Sequence, residues 1–137
     1  MMKMTVEEYS AELDAQMSEE EHQAQLFLEL EKLALTDPLY SLAFHIPNGG
    51  YRHKATAGRM KATGVKPGIP DIFVPVARYG FHGLFIELKS LKKGAKTSAV
   101  QEERFRKLRA QGYQVTVCNG WRYALQTIEF YMGLDEV

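Results

Sequence analysis

Cysteine is almost absent: Cys118 is the single one in 137 residues. No intrachain disulfide can form, and a zinc cluster built on cysteines is excluded. No apolar run approaches the ~18 residues of a membrane-spanning helix, so no membrane partner is expected. The opening Met1-Met2-Lys3-Met4-Thr5-Val6-Glu7-Glu8 lacks the apolar block of a secretory signal. These absences lead us to expect a reducing, cytoplasmic setting. The four histidines, His22, His45, His53 and His82, show neither an i, i+4 pair nor a metalloprotease spacing. Each is therefore expected to pack or to face solvent. His45 and Asn48 hint at a different catalytic pattern, but the second histidine and the cysteine frame it needs are missing.

Net charge is lacking too, with 17 Lys and Arg against 17 Asp and Glu. The balance hides a division. Residues 1–37 hold two Lys against ten acids, net −8, and residues 38–137 carry net +8. Between Arg52 and Arg109 there are 14 cations and four acids. Such a stretch is either a phosphate-binding surface or a set of solvated helix faces. Arg52, Lys54, Arg59, Lys61 and Lys66 form an acid-free run, and Lys92, Lys93 and Lys96 follow in a flexible segment. As a group they are candidate DNA-backbone contacts.

What is present is enough apolar residue, 45%, for one packed core. Residues 1–17 read as an acidic extension and 18–137 as the domain. Leu26, Leu30 and Leu33 recur at i, i+4, i+7, which predicts a helix over 18–35, ended by Thr36-Asp37-Pro38. A short strand is expected over 42–46 and a helix over 53–63. Residues 71–76 and 84–89 read as two strands joined by a short loop, which favours an antiparallel hairpin. Pro75 should end the first of them early or place it partly at an edge. A helix over 98–111, with Val100, Phe105 and Leu108 available for burial, leads to a strand over 114–118. Trp121, Leu125, Ile128 and Met132 mark a last helix. The order predicts an α/β fold, one mixed central sheet flanked by helices.

The chemistry gathers at Pro70-Asp71 and Glu87-Leu88-Lys89. Side chains at i and i+2 of a strand point the same way, about 6.7 Å apart. Glu87 and Lys89 should thus share a face with Phe85, while Leu84, Ile86 and Leu88 turn into the core. If the strands pair, Asp71, Glu87 and Lys89 converge. Two carboxylates suit a hard divalent cation such as Mg²⁺, and a lysine beside them suits the charge that builds during phosphodiester hydrolysis. The backbone carbonyl of Leu88 lies between and is a candidate further ligand. The bland alternative is a Glu87–Lys89 surface pair. An acid set between Ile86 and Leu88 speaks against it, because such an acid is seldom buried unless paired or ligated.

Several ordered motifs now carry a resemblance: Glu21-His22-Gln23, Ile46-Pro47-Asn48-Gly49-Gly50, residues 64–71 with Gly68-Ile69-Pro70-Asp71, Phe85-Ile86-Glu87-Leu88-Lys89, Ser98 with Gln101, and Gly112-Tyr113-Gln114-Val115. Over residues 21–131 the chain resembles the VRR-NUC nucleases of the PD-(D/E)XK superfamily. The resemblance implies a restriction-endonuclease-like core and metal-dependent cleavage of DNA with Mg²⁺ or Mn²⁺. It also implies a homodimer acting on branched DNA such as four-way junctions, as in small phage and bacterial members, and no organic cofactor. Carried over, Asp71 and Glu87 are metal ligands and Lys89 the catalytic lysine. The family's first-helix acid matches Glu21. As a catalytic residue Glu21 would be a further metal ligand, but Ser18-x-x-Glu21 is equally a capping box; so is Ser98-x-x-Gln101, although Gln101 shares the helix face of Phe105 and Leu108 and is a candidate to reach the metal site or the phosphate. A non-catalytic DNA-binding module on the same fold is the alternative, and a phage assembly protein a third reading. With little room in 137 residues for a recognition domain, structure-selective rather than sequence-specific cleavage is expected.

Overall fold

Alternation along residues 84–89 organises the sheet. In the computed structural model, which describes residues 4–47 and 54–137, this strand is β3 (Leu84–Lys89). It lies between β2 (Ile72–Val74) and β4 (Gln114–Asn119), with β1 (Phe44–His45) beyond β2. β1 and β3 run antiparallel to β2, while β4 runs parallel to β3. The sheet is therefore mixed, as expected. A parallel neighbour needs a crossover, and α4 (Ala99–Ala110) supplies it. The tight link from β2 to β3 gives the expected antiparallel neighbour, and Pro75 follows directly on β2.

The two sheet faces differ. Ile72, Val74, Leu84, Ile86 and Leu88 point inward and are at most 1% exposed. They pack with Leu26 and Leu30 of α2 (Glu19–Ala34) and with Ala124, Ile128 and Tyr131 of α5 (Trp121–Met132). Each such side chain stabilises the fold by roughly 1.5–3 kcal/mol. Phe105 of α4 is fully buried yet stands apart from that cluster. It packs on the other face, where Glu87 and Lys89 lie.

Residues 1–17, read as an acidic extension, carry a helix, α1 (Val6–Gln16), with its own capping box at Thr5 and Glu8. Its buried Asp14 accepts hydrogen bonds from Trp121 Nε1 at 3.2 Å and Arg122 Nε at 2.6 Å, which ties α1 to α5. Val100, expected to be buried, is 55% exposed. It sits one residue, about 100° of helix, away from the Gln101–Phe105–Leu108 stripe that meets the sheet. The strand expected over 42–46 is the two-residue β1, entered from a 3-10 turn over Pro38–Leu42. The expected helix over 53–63 is α3 (Lys54–Ala62). Asn48, Gly49, Gly50, Arg52 and His53 lie outside the described residues, as does the side chain of Lys54.

Candidate active site

Asp71 comes off a tight approach. Gly68 has φ +81°, and a Cβ there would stand 2.9 Å from the Val100 carbonyl oxygen. Only glycine meets both demands without strain. Pro70 follows, and the backbone carbonyl of Asp71 is held by Ile46 N–H at 2.6 Å, with His45 Nδ1 2.9 Å away. The Asp71 side chain accepts the Leu88 N–H through Oδ2 at 2.9 Å. This bond takes the place of a ladder bond. Extended by two residues, the β2–β3 register sets Asp71 opposite Glu87 and Pro70 opposite Leu88. N–H and C=O of one strand residue leave by the same edge, so the Leu88 carbonyl also faces this corner. Pro70 has no N–H to offer it. The proline of Pro70-Asp71 thus leaves that carbonyl available to another partner.

Glu87 is the centre of the arrangement. It is 2% exposed, and its Oε2 receives Lys89 Nζ at 3.0 Å and Gln101 Nε2 at 2.9 Å. Its other oxygen, Oε1, is buried with no hydrogen-bond partner. A buried, unsatisfied carboxylate oxygen is costly and calls for a ligand. Burial, then the nearby charge of Asp71, pushes the Glu87 carboxyl up to about 7, against the pull of Lys89. Burial likewise raises Asp71, opposed by the Leu88 N–H. Two carboxylates in one desolvated corner, with the charge of Asp71 raising Glu87, suit a divalent cation, which offsets both the burial and that repulsion. Among the described residues, no group of three or more Asp, Glu, His or Cys is placed to hold a metal. The donor set on hand is therefore Asp71, Glu87 and the Leu88 carbonyl. With water, that set fits a magnesium-type ion, which keeps several of its own waters.

Gln101 does both jobs weighed for it. Its Oε1 accepts the Ser98 N–H at 2.9 Å and closes the capping box of α4, and Lys89 Nζ approaches it at 3.4 Å. Its Nε2 donates to Glu87. A glutamate would close the same box but would set a further negative charge against Glu87. Glu21 has no such second role. Its Oε1 accepts the Ser18 N–H at 3.1 Å, its side chain is exposed, and that N–H holds its carboxyl below the usual range. Glu19 is instead the first-helix acid whose charge raises both Asp71 and Glu87. The sequence held a signal for it: Glu19 lies at i, i+3, i+7, i+11 with His22, Leu26 and Leu30, so it stands exposed at the head of the buried stripe of α2. His22 is fully buried, and its Nδ1 accepts the Trp121 N–H at 3.1 Å, so it packs as expected.

Arg59, Lys61, Lys66, Lys92, Lys93 and Lys96 are exposed and not part of this corner. Lys92 is near enough to help lower Glu21. Burial pushes the Cys118 thiol up to about 11, which keeps it protonated and neither nucleophile nor metal ligand. No helix among the described residues is long and apolar enough to cross a membrane.

Comparison with known proteins agrees with this geometry. A family model, the VRR-NUC domain, matches residues 7–121. A solved structure described as a VRR_NUC domain protein superposes with a TM-score of 0.72 at 28% identity, covering 87% of this chain and 91% of that one. The match shares the α/β architecture of a mixed sheet flanked by helices. No curated protein matches the chain.

Proposed function

The chain belongs to the VRR-NUC domain family, a nuclease-type family acting on DNA, and from that premise we propose a metal-dependent DNA endonuclease selective for branched structures. The observation that carries the reading is Glu87 Oε1, buried without a partner beside Asp71 and under the Lys89 ammonium. Asp71, Glu87 and the Leu88 carbonyl would hold Mg²⁺ or Mn²⁺. Bound there, the ion supplies positive charge against the phosphate and makes water more acidic. The residues do the rest. Lys89, whose side chain is 13% exposed and whose Nζ sits on Glu87, would orient the attacking water and balance charge building on the phosphate. Gln101 fixes the Glu87 carboxylate so that Oε1 keeps facing the ion. Glu19 adds a negative charge near the carboxylates, while Glu21, the first-helix acid the resemblance offered as a possible metal ligand, closes the α2 cap.

Substrate choice follows from the cations. The exposed Arg59, Lys61, Lys66, Lys92, Lys93 and Lys96, together with Arg52 and Lys54 of the same basic run in the sequence, are suited to phosphates, and phosphate contacts position a duplex without reading its bases. Selectivity then comes from DNA shape, with four-way junctions as the substrate to try first. Two copies in a symmetric dimer would give one centre per strand to be cut.

The test is cleavage of supercoiled and branched DNA with Mg²⁺, Mn²⁺ or EDTA, by wild type and by Lys89→Ala. Cutting that disappears with chelator and in a folded Lys89→Ala protein is the expected result. Metal-independent binding without cutting would replace the enzyme by a DNA-binding module. A reproducible sequence motif at cut sites on linear duplex would overturn structure selectivity.

A further inference from the structure

One step along the sheet from the carboxylates lies a row of rings. Phe44, Phe73 and Phe85 are direct partners on β1, β2 and β3. Phe85 stands two residues before Glu87, and Phe73 two residues after Asp71, so the ring row shares the outer face with the acidic row. Phe73 and Phe85 stack at 4.3 Å between centroids with 24° between planes. Phe44 meets Phe73 edge-on at 5.9 Å, and Tyr113 meets Phe85 edge-on at 5.3 Å. Gly83 makes room: a Cβ there would stand 2.8 Å from the Phe73 ring. The opposite face of the same strands offers only aliphatic Ile72, Val74, Leu84 and Ile86 to the core. The rings are not fully covered. Phe73 and Phe85 are half-buried, and Phe44 is 48% exposed.

We infer that the Phe44–Phe73–Phe85 row is a stacking site for an unpaired nucleobase beside the phosphate that is cut. Every nucleobase has a π face, so rings bind single strands without regard to sequence. The two rows are about 6.7 Å apart, close to two base steps on a stacked strand. Position selects the occupant. The row adjoins the Asp71–Glu87 corner on the same face of β2 and β3, so a base of the strand whose phosphate enters that corner is within reach of the rings. A fully paired duplex keeps its bases stacked inward, whereas a strand parting at a branch can leave one on the rings. The row would thereby favour branched over plain duplex DNA. The inference rests on the nuclease reading.

Binding of the full chain in EDTA tests it. The probes are a labelled DNA with unpaired bases at a branch and a blunt duplex of equal length, with the Phe44→Leu and Phe44→Trp variants. Phe44→Leu should weaken binding to the branched probe about ten-fold and to the duplex by less than about two-fold. Phe44→Trp should bind as wild type, and single-stranded DNA should quench its added emission, Trp121 being buried. Equal losses on both probes, or none, would overturn the inference. So would a fall in sedimentation mass for Phe44→Leu, which would give the row to a second copy. If wild type cuts DNA normally while the Phe44 variants are indistinguishable from it, the stacking site alone falls. If wild type neither binds nor cuts any DNA, the nuclease reading falls and takes the site with it.

Discussion

Two capping boxes of the same pattern open α2 and α4, and they end in different places. At Ser18 and Glu21 the box closes on itself and the glutamate faces water. At Ser98 and Gln101 the box closes equally well, but the free end of the amide reaches Glu87. Local chemistry is alike in both. What differs is the surface that each helix start meets. α4 crosses from β3 to β4 over the outer face, so its first turn stands over Glu87. In α2 the turn toward the sheet is the one carrying Glu19 and His22, one residue to either side of the middle of that first turn. A cap can thus be only a cap, or a cap that also orders a carboxylate, and the neighbour decides which.

The sharpest way to break the comparison is to remove what Gln101 reaches. Glu87→Gln should lower cleavage of branched DNA by about 10³-fold or more. Thermal melts at pH 8 should show no loss of stability, because a buried charge with an unsatisfied oxygen has been removed. An active Glu87→Gln protein would end the argument for this corner.

Next in size is pH. The folded-state carboxyl of Glu87 is raised from 4.5 to about 7, so the folded protein holds its proton more tightly than the unfolded chain. Stability is then fully present below about pH 4.5 and falls as pH rises through 7, by on the order of 3 kcal/mol in metal-free protein. Asp71, also raised, adds with the same sign. Denaturant titrations in EDTA should show that decline, Glu87→Gln should flatten it, and Mg²⁺ or Mn²⁺ should offset it above pH 7. Stability that rises over this window would contradict the desolvated pair.

Removing the boxes themselves separates the two helix starts. Gln101→Ala should cost about 1 kcal/mol of stability for the cap and roughly 10–100-fold in turnover for the freed Glu87. Glu21→Ala should cost the same ~1 kcal/mol and leave turnover within about two-fold. Equal activity losses would restore Glu21 to the site. The smallest effect belongs to Glu19→Gln, which should move the midpoint of the pH-dependent stability downward, because one negative charge acting on both carboxylates is gone. An unmoved midpoint would remove Glu19 from consideration.

The chain's own order of residues determined a good deal. Strict alternation over 84–89 assigned Leu84, Ile86 and Leu88 to the core and Glu87 and Lys89 to the other side, because side-chain direction in a strand has period two. The helix starts were legible in their Ser-x-x-Glu and Ser-x-x-Gln spacings, since capping is satisfied within four residues. Asp71 and Glu87 were legible as a pair only because a short loop between two strands leaves them few other places to be. Long-range neighbours were beyond its reach. The nearness of Glu19 to Asp71 and Glu87, the two-sided hydrogen bonding of Gln101, the clasp of Asp14 on Trp121 and Arg122, and the bond from the Leu88 N–H to Asp71 all depend on register or packing between segments distant along the chain. Those contacts are set by the summed fit of many side chains rather than by any local pattern, so only the folded arrangement could decide them.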